Sequence, residues 1–203
     1  MSAKARDAAQ QANSTRQLAI DAQRSARAYG RYTPNGYGIS VWQNGDRCEG
    51  EYRAGSPNGY AVCSYANGHR YEGGFIDGQR SGYGVFTFSY GERYAGEWRD
   101  GQRNGYGLNT WPDGSRFEGE HRNNKSNGYG VYIWSSGHRH EGEMHDGPAS
   151  GYGVDIWPDG HRYEGEYRDG EWNGWGYELA ADGAVSMGLW NGGNLIRAVT
   201  AGR

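Results

Sequence analysis

The sequence predicts an all-β fold: an elongated single-layer antiparallel β-sheet of repeated hairpins, with a short N-terminal α-helix. Two observations predict the sheet. Glycines recur every 23 residues in three registers, and every copy contains two short alternating segments separated by turn residues. The alanine spacing of residues 3–28 predicts the helix. Arrays of such repeats usually work as surfaces, so we expect binding rather than catalysis.

The glycine registers divide the chain into three parts. One register consists of Gly36, Gly59, Gly82, Gly105, Gly128, Gly151 and Gly174. The repeats begin near residues 35, 58, 81, 104, 127, 150 and 173. We assign residues 1–30 to an Ala/Arg-rich helix, residues 31–195 to the repeat array and residues 196–203 to a C-terminal tail.

Residues 104–126 show what one repeat contains. Gly105–Trp111 is short and alternating, and the Pro-Asp-Gly segment that follows is a turn, because proline presets φ and glycine accepts a positive φ. Ser115–His121 is a second short strand, and a polar loop follows over Arg122–Asn127. Two strands and two turns predict one β-hairpin per repeat, and glycine inside a helix would cost about 1 kcal/mol each time.

Strand alternation places the aromatic side chains on one face, around glycines on which a ring can lie directly. This aromatic face consists of Trp42, Tyr71, Phe75, Phe88, Tyr94, Trp98, Trp111, Phe117, Trp134, Trp157, Tyr163 and Tyr167. We favour the interpretation that these rings hold neighbouring repeats together. The alternative is a groove that anchors a partner. Both can hold, because a single-layer sheet has no second layer to cover it.

The opposite face carries an arginine ladder with glutamates beside it. The ladder consists of Arg47, Arg70, Arg93, Arg116, Arg139 and Arg162. These guanidinium groups either present a site for an anionic ligand or form cross-strand ion pairs with the glutamates. We favour the ion pairs, because the charges cancel locally.

Charge and composition narrow the range of partners. The net charge of −3 divides into +3 on residues 1–30 and −6 on the remaining 173, so the array is a poor ligand for nucleic acid. We expect no membrane span, which needs ~20 apolar residues, and no secretory signal. Cys48 and Cys63 are too few to indicate a disulfide framework. We expect a reducing setting and two thiols that face each other across adjacent strands.

No metal, cofactor or catalytic site is predicted. His69, His138 and His161 share one repeat position, but equivalent positions lie roughly 10 Å apart, too far to share a metal ion. The Asn-Gly-Tyr-Gly segments are not followed by helices, so they are not phosphate loops. No nucleophile and base stand out from the repeat background.

Three interpretations of the N-terminal helix remain open. We favour a helix that packs on the first repeat as a cap. The second is a small-residue helix that pairs with another helix or chain. The third, a basic membrane-surface or transit helix, is weakened by Asp7 and Asp21 and by Leu18 and Ile20 being the only bulky aliphatic residues.

Residues 94–107, YAGEWRDGQRNGYG, resemble the MORN (membrane occupation and recognition nexus) repeat, as does YEGEYRDG at 163–170. The resemblance covers roughly residues 31–195. The seventh copy departs from the pattern at 186–190, and Cys48 and His140 replace the usual aromatic residue. The resemblance implies a single-layer sheet of hairpins and a non-catalytic role in scaffolding, dimerisation or attachment to acidic phospholipid.

We therefore predict a non-catalytic scaffold or adaptor that binds a protein, or a second copy of itself, through the aromatic face. The alternatives are a peripheral membrane adaptor that recognises anionic phospholipid, and an accessory module of a lipid-kinase or methyltransferase system, to which some family members are fused. We expect no nucleic acid, small-molecule substrate or cofactor. The expected location is the cytoplasm or the inner face of a membrane.

Overall fold

The computed structural model describes residues 35–199, which contain fifteen β-strands and no helix. The predicted helix of residues 1–30 lies outside the described residues. The strands are β1 (Gly36–Val41), β2 (Arg47–Arg53), β3 (Ser56–Ser64), β4 (Arg70–Ile76), β5 (Gln79–Thr87), β6 (Arg93–Arg99), β7 (Gln102–Thr110), β8 (Arg116–Arg122), β9 (Lys125–Ile133), β10 (Arg139–Met144), β11 (Ala149–Ile156), β12 (Arg162–Arg168), β13 (Glu171–Leu179), β14 (Val185–Asn191) and β15 (Asn194–Ala198). The all-β prediction is confirmed.

The chain divides into two compact units, residues 1–112 and 113–203. In the first unit, β1 to β7 are hydrogen-bonded in chain order, and each strand is antiparallel to the next. In the second unit, β8 to β15 follow the same rule. Each unit is therefore a single-layer antiparallel sheet of hairpins, as the sequence predicts.

A four-residue turn joins the two strands inside each repeat. Its first residue is usually aromatic and its last is a glycine with positive φ. Trp42, for example, accepts a 2.9 Å backbone hydrogen bond from Gly45, whose φ is 92°. The aromatic residue that begins this turn is therefore held at the edge of the sheet in repeat after repeat.

A two-residue turn joins one repeat to the next. Asn123 and Asn124 form such a turn, with φ of 49° and 71°, which matches the type I′ turn of tight hairpins. The prediction of a polar loop over Arg122–Asn127 is wrong in this respect, because β8 continues to Arg122 and β9 begins at Lys125. Ladder hydrogen bonds extend the strands into a segment whose polarity resembles that of a loop.

Tyr94 shows how so thin a sheet is held together. Its side chain is completely buried, and a Cβ added to Gly107 would lie only 2.5 Å from its ring. Its hydroxyl donates a 3.0 Å hydrogen bond to the backbone oxygen of Glu97. Tyr71 and Tyr163 are equally buried at the equivalent positions. The predicted packing of rings directly on glycine backbone is thus confirmed.

Cys48 and Cys63 are paired residues of β2 and β3 and form a disulfide. Their predicted proximity is confirmed, but the prediction of two separate thiols is wrong. One repeat later, Tyr71 and Phe86 occupy the same two positions. The disulfide therefore takes the place of the aromatic pair that Tyr71 and Phe86 form one repeat later.

The last strand extends the sheet beyond the predicted repeat array. Residues 196–198, which the sequence assigns to a C-terminal tail, belong to β15, and Ala198 pairs with Gly188 of β14. Five exposed residues make up β15, so the strand adds ladder hydrogen bonds and little buried surface.

Candidate binding site

Seven residues of the predicted aromatic face form a buried layer in the sheet. They are Tyr71, Phe75, Tyr94, Trp98, Phe117, Tyr163 and Tyr167. Neighbouring rings meet edge to face, as Tyr94 and Trp98 do with centroids 5.2 Å apart. Each of these side chains is at most 6% exposed, so their rings stabilise the sheet and offer little surface to a partner.

The other five predicted aromatic residues begin the four-residue turns. Trp42 is exposed, and the side chains of Phe88, Trp111, Trp134 and Trp157 are half-buried. Tyr65 occupies the same position in its repeat and was missed by the sequence analysis, although it lies 23 residues after Trp42. The accessible aromatic surface of each unit is therefore a row of rings along the edge that carries the four-residue turns.

In the second unit, tryptophan and histidine side chains fill this edge. Trp134, His138, Trp157 and His161 stack in that order, with successive centroids 4.2, 4.4 and 4.3 Å apart. His138 Nε2 lies 2.9 Å from Asp155 Oδ1, and His161 Nε2 lies 3.1 Å from Glu178 Oε1. These carboxylates give both rings a fixed orientation and satisfy the Nε2 atom of each.

A buried polar cluster lies beneath that stack. Asp155 Oδ1 also accepts a hydrogen bond from His140 Nδ1 at 3.0 Å, and its Oδ2 accepts one from the Tyr167 hydroxyl at 2.7 Å. Burial opposes ionisation of Asp155, but these hydrogen bonds outweigh it and hold the pKa of the carboxyl below its usual value. Burial and the Asp155 carboxylate raise the pKa of Tyr167. At the position where most other repeats have a tyrosine or phenylalanine, this repeat has His140 and its polar cluster.

The arginine ladder is largely paired. Arg47 and Arg70 form 2.7 Å ion pairs with Glu49 and Glu72, two residues further along the same strand. Arg139 and Arg162 pair with Glu141 and Glu164 in the same way. Four arginines of the ladder are therefore in ion pairs, but these pairs run along a strand and not across strands as predicted.

A tyrosine hydroxyl completes each of these four pairs. Tyr129 and Tyr152 donate 2.7 Å hydrogen bonds to Glu141 and Glu164, and these bonds help to hold the pKa of both carboxyls below its usual value. Burial and Glu141 raise the pKa of Tyr129 to about 12. Arg93 differs, because Ala95 replaces the glutamate beside it.

The first unit contains an open groove that extends between one of its four-residue turns and two of its two-residue turns. It has a volume of about 460 Å³ and is lined by Tyr65, Asn67, His69, Phe75, Gly78, Gln79, Arg80, Phe86, Asp100 and Gly101. The half-buried Tyr65 ring forms the aromatic wall and packs on the buried Phe86, with ring centroids 6.1 Å apart. The groove is thus built from one turn of the aromatic row, the start of β5 and two two-residue turns.

Arg80 forms the polar floor of the groove. The central carbon of its guanidinium lies 4.4 Å from the centroid of Trp98 and 5.0 Å from that of Phe86, and its Nη2 donates a 2.8 Å hydrogen bond to Gly101 O. Burial lowers the pKa of Arg80. The sequence analysis missed this residue because it lies in a segment interpreted as a connection. Its repeat equivalent, Arg103, was a signal available in the sequence.

Two further features of the described residues bear on the predicted alternatives. Among residues 35–199, no group of three or more His, Cys, Asp or Glu side chains is arranged to hold a metal ion. The same part of the chain has no helix long and apolar enough to span a bilayer.

Several solved structures are weakly similar to this chain. The TCP domain of Drosophila melanogaster SAS-4, in complex with a proline-rich motif of Ana2, is 12% identical, with 78% of this chain and 89% of that chain covered and a TM-score of 0.47. The TCP10 domain of Danio rerio CPAP is 17% identical, with coverage of 82% and 90% and a TM-score of 0.42. Likenesses this weak carry no argument about function.

Sequence comparison identifies the family directly. A search of curated proteins finds no match. The MORN repeat profile, in contrast, matches seven consecutive segments: residues 29–47, 48–70, 71–93, 94–116, 117–139, 140–162 and 163–185. From residue 48 onward these segments have the 23-residue period of the hairpin repeats described above, and each begins within the second strand of a repeat. The chain therefore belongs to the MORN-repeat family.

Proposed function

We propose that this chain is a non-catalytic scaffold that binds a protein partner on its aromatic face, at the groove of the first unit. The observation that carries the proposal is that groove, because it combines an aromatic wall, an accessible volume and a half-buried cation in one place. Aromatic and arginine side chains in a partly desolvated depression are typical anchors of protein interfaces. A sheet with only one layer leaves this surface uncovered.

The membrane-adaptor alternative has less support in the described residues. Four guanidinium groups of the arginine ladder are paired with glutamates, so they add little net positive charge to that face. Attraction to anionic lipid depends on net positive charge near the surface. We therefore propose that protein binding, not lipid binding, is the principal activity of the array.

Affinity capture with paired variants tests the proposal. The full chain, a Tyr65→Ser variant in the groove and a Tyr152→Ser variant on the arginine face are used to capture proteins from cell extract, with retained proteins quantified by mass spectrometry. We expect a set of proteins that the wild type and Tyr152→Ser retain and Tyr65→Ser loses. Thermal melting checks that both variants remain folded. Equal retention by all three chains would contradict the proposed surface, and sedimentation equilibrium tests whether a second copy of the chain is the partner.

Liposome co-sedimentation tests the alternative. Vesicles containing phosphatidylserine are mixed with the full chain at low and physiological salt. We expect no sedimentation at physiological salt, because screening weakens any residual surface attraction. Binding that persists there would favour the membrane adaptor over the protein scaffold.

A further inference from the structure

Arg80 has a charge that the described structure does not neutralise. One of its five N–H groups is satisfied by Gly101 O, and its planar group packs against Trp98 and Phe86. Among residues 35–199, no carboxylate forms an ion pair with Arg80, and no carboxylate contributes to the shift of its pKa. A partly buried guanidinium without an anion is costly, since burial normally requires a paired charge.

Arg103, one repeat later, shows how the same position is satisfied internally. Its guanidinium also lies over a tyrosine, with its central carbon 5.5 Å from the Tyr94 centroid. Its Nη1 lies 3.7 Å from Glu92 Oε1 and 3.4 Å from Asn109 Oδ1. In the repeat of Arg80, His69 stands in the position of Glu92 and Phe86 in that of Asn109. Both acceptors that serve Arg103 are therefore missing around Arg80.

His69 adds a second donor to the groove. Its Nδ1 accepts a 2.9 Å hydrogen bond from the backbone N–H of Ser89, so the proton of the neutral ring lies on Nε2. The ring meets Phe86 and Phe88 edge to face, with centroids 5.6 and 5.3 Å apart, which fixes its orientation. The structure describes no acceptor for this Nε2–H within residues 35–199. Glu92, the acceptor of the next repeat, has thus been replaced by a donor.

We propose that this groove binds the carboxylate of an aspartate or glutamate in a partner protein, beside an apolar residue that packs on Tyr65. The inference rests on the proposed function and names the chemistry of its partner. A planar carboxylate accepts two parallel N–H bonds from a guanidinium and one more from His69. The Tyr65 ring suits the methylene groups and the apolar neighbour of such a side chain. The volume of about 460 Å³ accommodates side chains and excludes a folded domain.

The carboxylate of Asp100, at the rim of the groove, repels an acidic ligand. Its side chain is exposed in a two-residue turn with φ of 52°, and it forms no ion pair with Arg80. Residues 31–203 carry a net charge of −6, so long-range attraction does not bring an acidic segment to the surface. Recognition must therefore come from contacts inside the groove, and removal of the Asp100 charge should strengthen binding.

Selection from a random dodecapeptide display library tests the proposal on the full chain. We expect the selected peptides to contain Asp or Glu next to an apolar residue. Replacing that acid with its amide in a synthetic copy should raise the Kd about tenfold or more, as should Arg80→Gln in the protein. Arg103→Gln is the matched control and should change the Kd less than about twofold, while Asp100→Asn should lower the Kd. Arg80→Lys keeps the charge without the planar guanidinium, so it should raise the Kd by an intermediate factor. It replaces Arg80→Gln in the test if that variant proves unstable.

Several results would overturn the inference. They are selected peptides without an acid, equal binding by wild type and Arg80→Gln, the absence of any selected peptide, and Arg80-dependent sedimentation with phosphatidylserine vesicles. The two proposals fail separately. If captured proteins are lost with Tyr65→Ser but kept with Arg80→Gln, the scaffold function stands and the acidic ligand does not.

Discussion

The Arg80 groove of the first unit and the tryptophan–histidine stack of the second are built from the same repeat positions. In the first, Arg80 lies over Tyr71, with 5.8 Å between its guanidinium carbon and the ring centroid. In the second unit, Trp172 occupies the position of Arg80. Its ring stacks on that of Tyr163, with centroids 4.0 Å apart and an interplanar angle of 3°. An identical backbone thus supports either a charged, open surface or a filled aromatic one.

We infer from this comparison that the buried tyrosine layer supplies stability, whereas the positions beside it supply the proposed binding surface. The buried tyrosine layer is common to both regions, whereas the residues beside it vary. Where an aromatic residue or a paired histidine occupies these variable positions, the chain itself supplies the packing and the hydrogen bonds of their side chains. Where Arg80 and His69 occupy them, donors remain that only another molecule can satisfy.

The largest expected effect concerns the shared layer. Tyr71→Ala and Tyr163→Ala should each lower the free energy of unfolding by about 3–5 kcal/mol, because both side chains are completely buried on glycine backbone. Urea unfolding followed by tryptophan fluorescence measures the loss. Tyr90→Ala, at a side chain that is 62% exposed, should be nearly neutral. Markedly unequal losses at Tyr71 and Tyr163 would break the view that both regions share one supporting layer.

The next effect concerns the strand pair β2–β3, where a disulfide takes the place of two aromatic rings. Reduction of Cys48–Cys63, or the double substitution to serine, should cost about 3 kcal/mol, the value expected for closing a loop of 15 residues. Denaturant unfolding with and without reductant measures it, and the double variant, which should not respond to reductant, is the control. Disulfides persist in oxidising compartments. Labelling of two free thiols in protein isolated without reductant would instead restore the predicted reducing, cytoplasmic setting.

A smaller effect separates the two regions themselves. Trp172→Ala should lower the free energy of unfolding by about 2 kcal/mol, since a half-buried indole loses its stacking partners. Arg80→Met should stay within about 1 kcal/mol of the wild type or stabilise the chain, because an apolar side chain replaces an unpaired, partly buried charge. Thermal and urea unfolding compare the two. A large loss with Arg80→Met would mean that Arg80 is structural, contrary to its proposed binding role.

The smallest effect is a dependence on pH in the second unit. Hydrogen bonds from His140 and Tyr167 outweigh burial and keep the pKa of Asp155 below its unfolded value of about 3.9. A depressed pKa contributes stability that is present above the unfolded pKa and is lost as the pH falls through the folded one. Asp155→Asn should therefore cost about 1–2 kcal/mol at neutral pH and progressively less below about pH 4.

Stability measured between pH 2 and pH 7 checks this dependence. Asp169→Asn, at an exposed turn carboxylate, is the control and should change little. A difference between Asp155→Asn and wild type that is the same at every pH would show that the carboxylate is not the source of the effect.

The repeating features of the fold could be predicted from the sequence. Glycine periodicity and strand alternation suffice to place Tyr94 and Phe117 on the buried face and Arg70 on the other, because these features depend only on neighbours along the chain. The two-residue turn at Asn123–Asn124 was also within reach, since asparagine tolerates positive φ. Its polar flanks were mistaken for a loop because ladder hydrogen bonds do not depend on side-chain polarity.

The candidate site could not be predicted, because it depends on departures from the repeat. The role of Arg80 follows from the absence of Glu92 and Asn109 equivalents, and the disulfide follows from the register of β2 on β3. The sequence could not separate the rings that hold repeats together from those that could anchor a partner, because alternation specifies a face and not its depth. In the structure, the glycines beside Tyr71 and Tyr163 let those rings sink into the sheet, and only the turn-edge rings remain accessible.

Site-specific photo-cross-linking in cells tests the central claim, that a protein partner binds at the groove. A benzophenone-bearing amino acid is placed at Tyr65, which lines the groove, or at Tyr60, whose hydroxyl bonds Glu72 on the arginine face. The account predicts a discrete cross-linked protein from position 65 that is absent from position 60 and lost when Arg80→Gln is combined with the position 65 probe. Cross-links from position 60 alone, or equally from both, would contradict it.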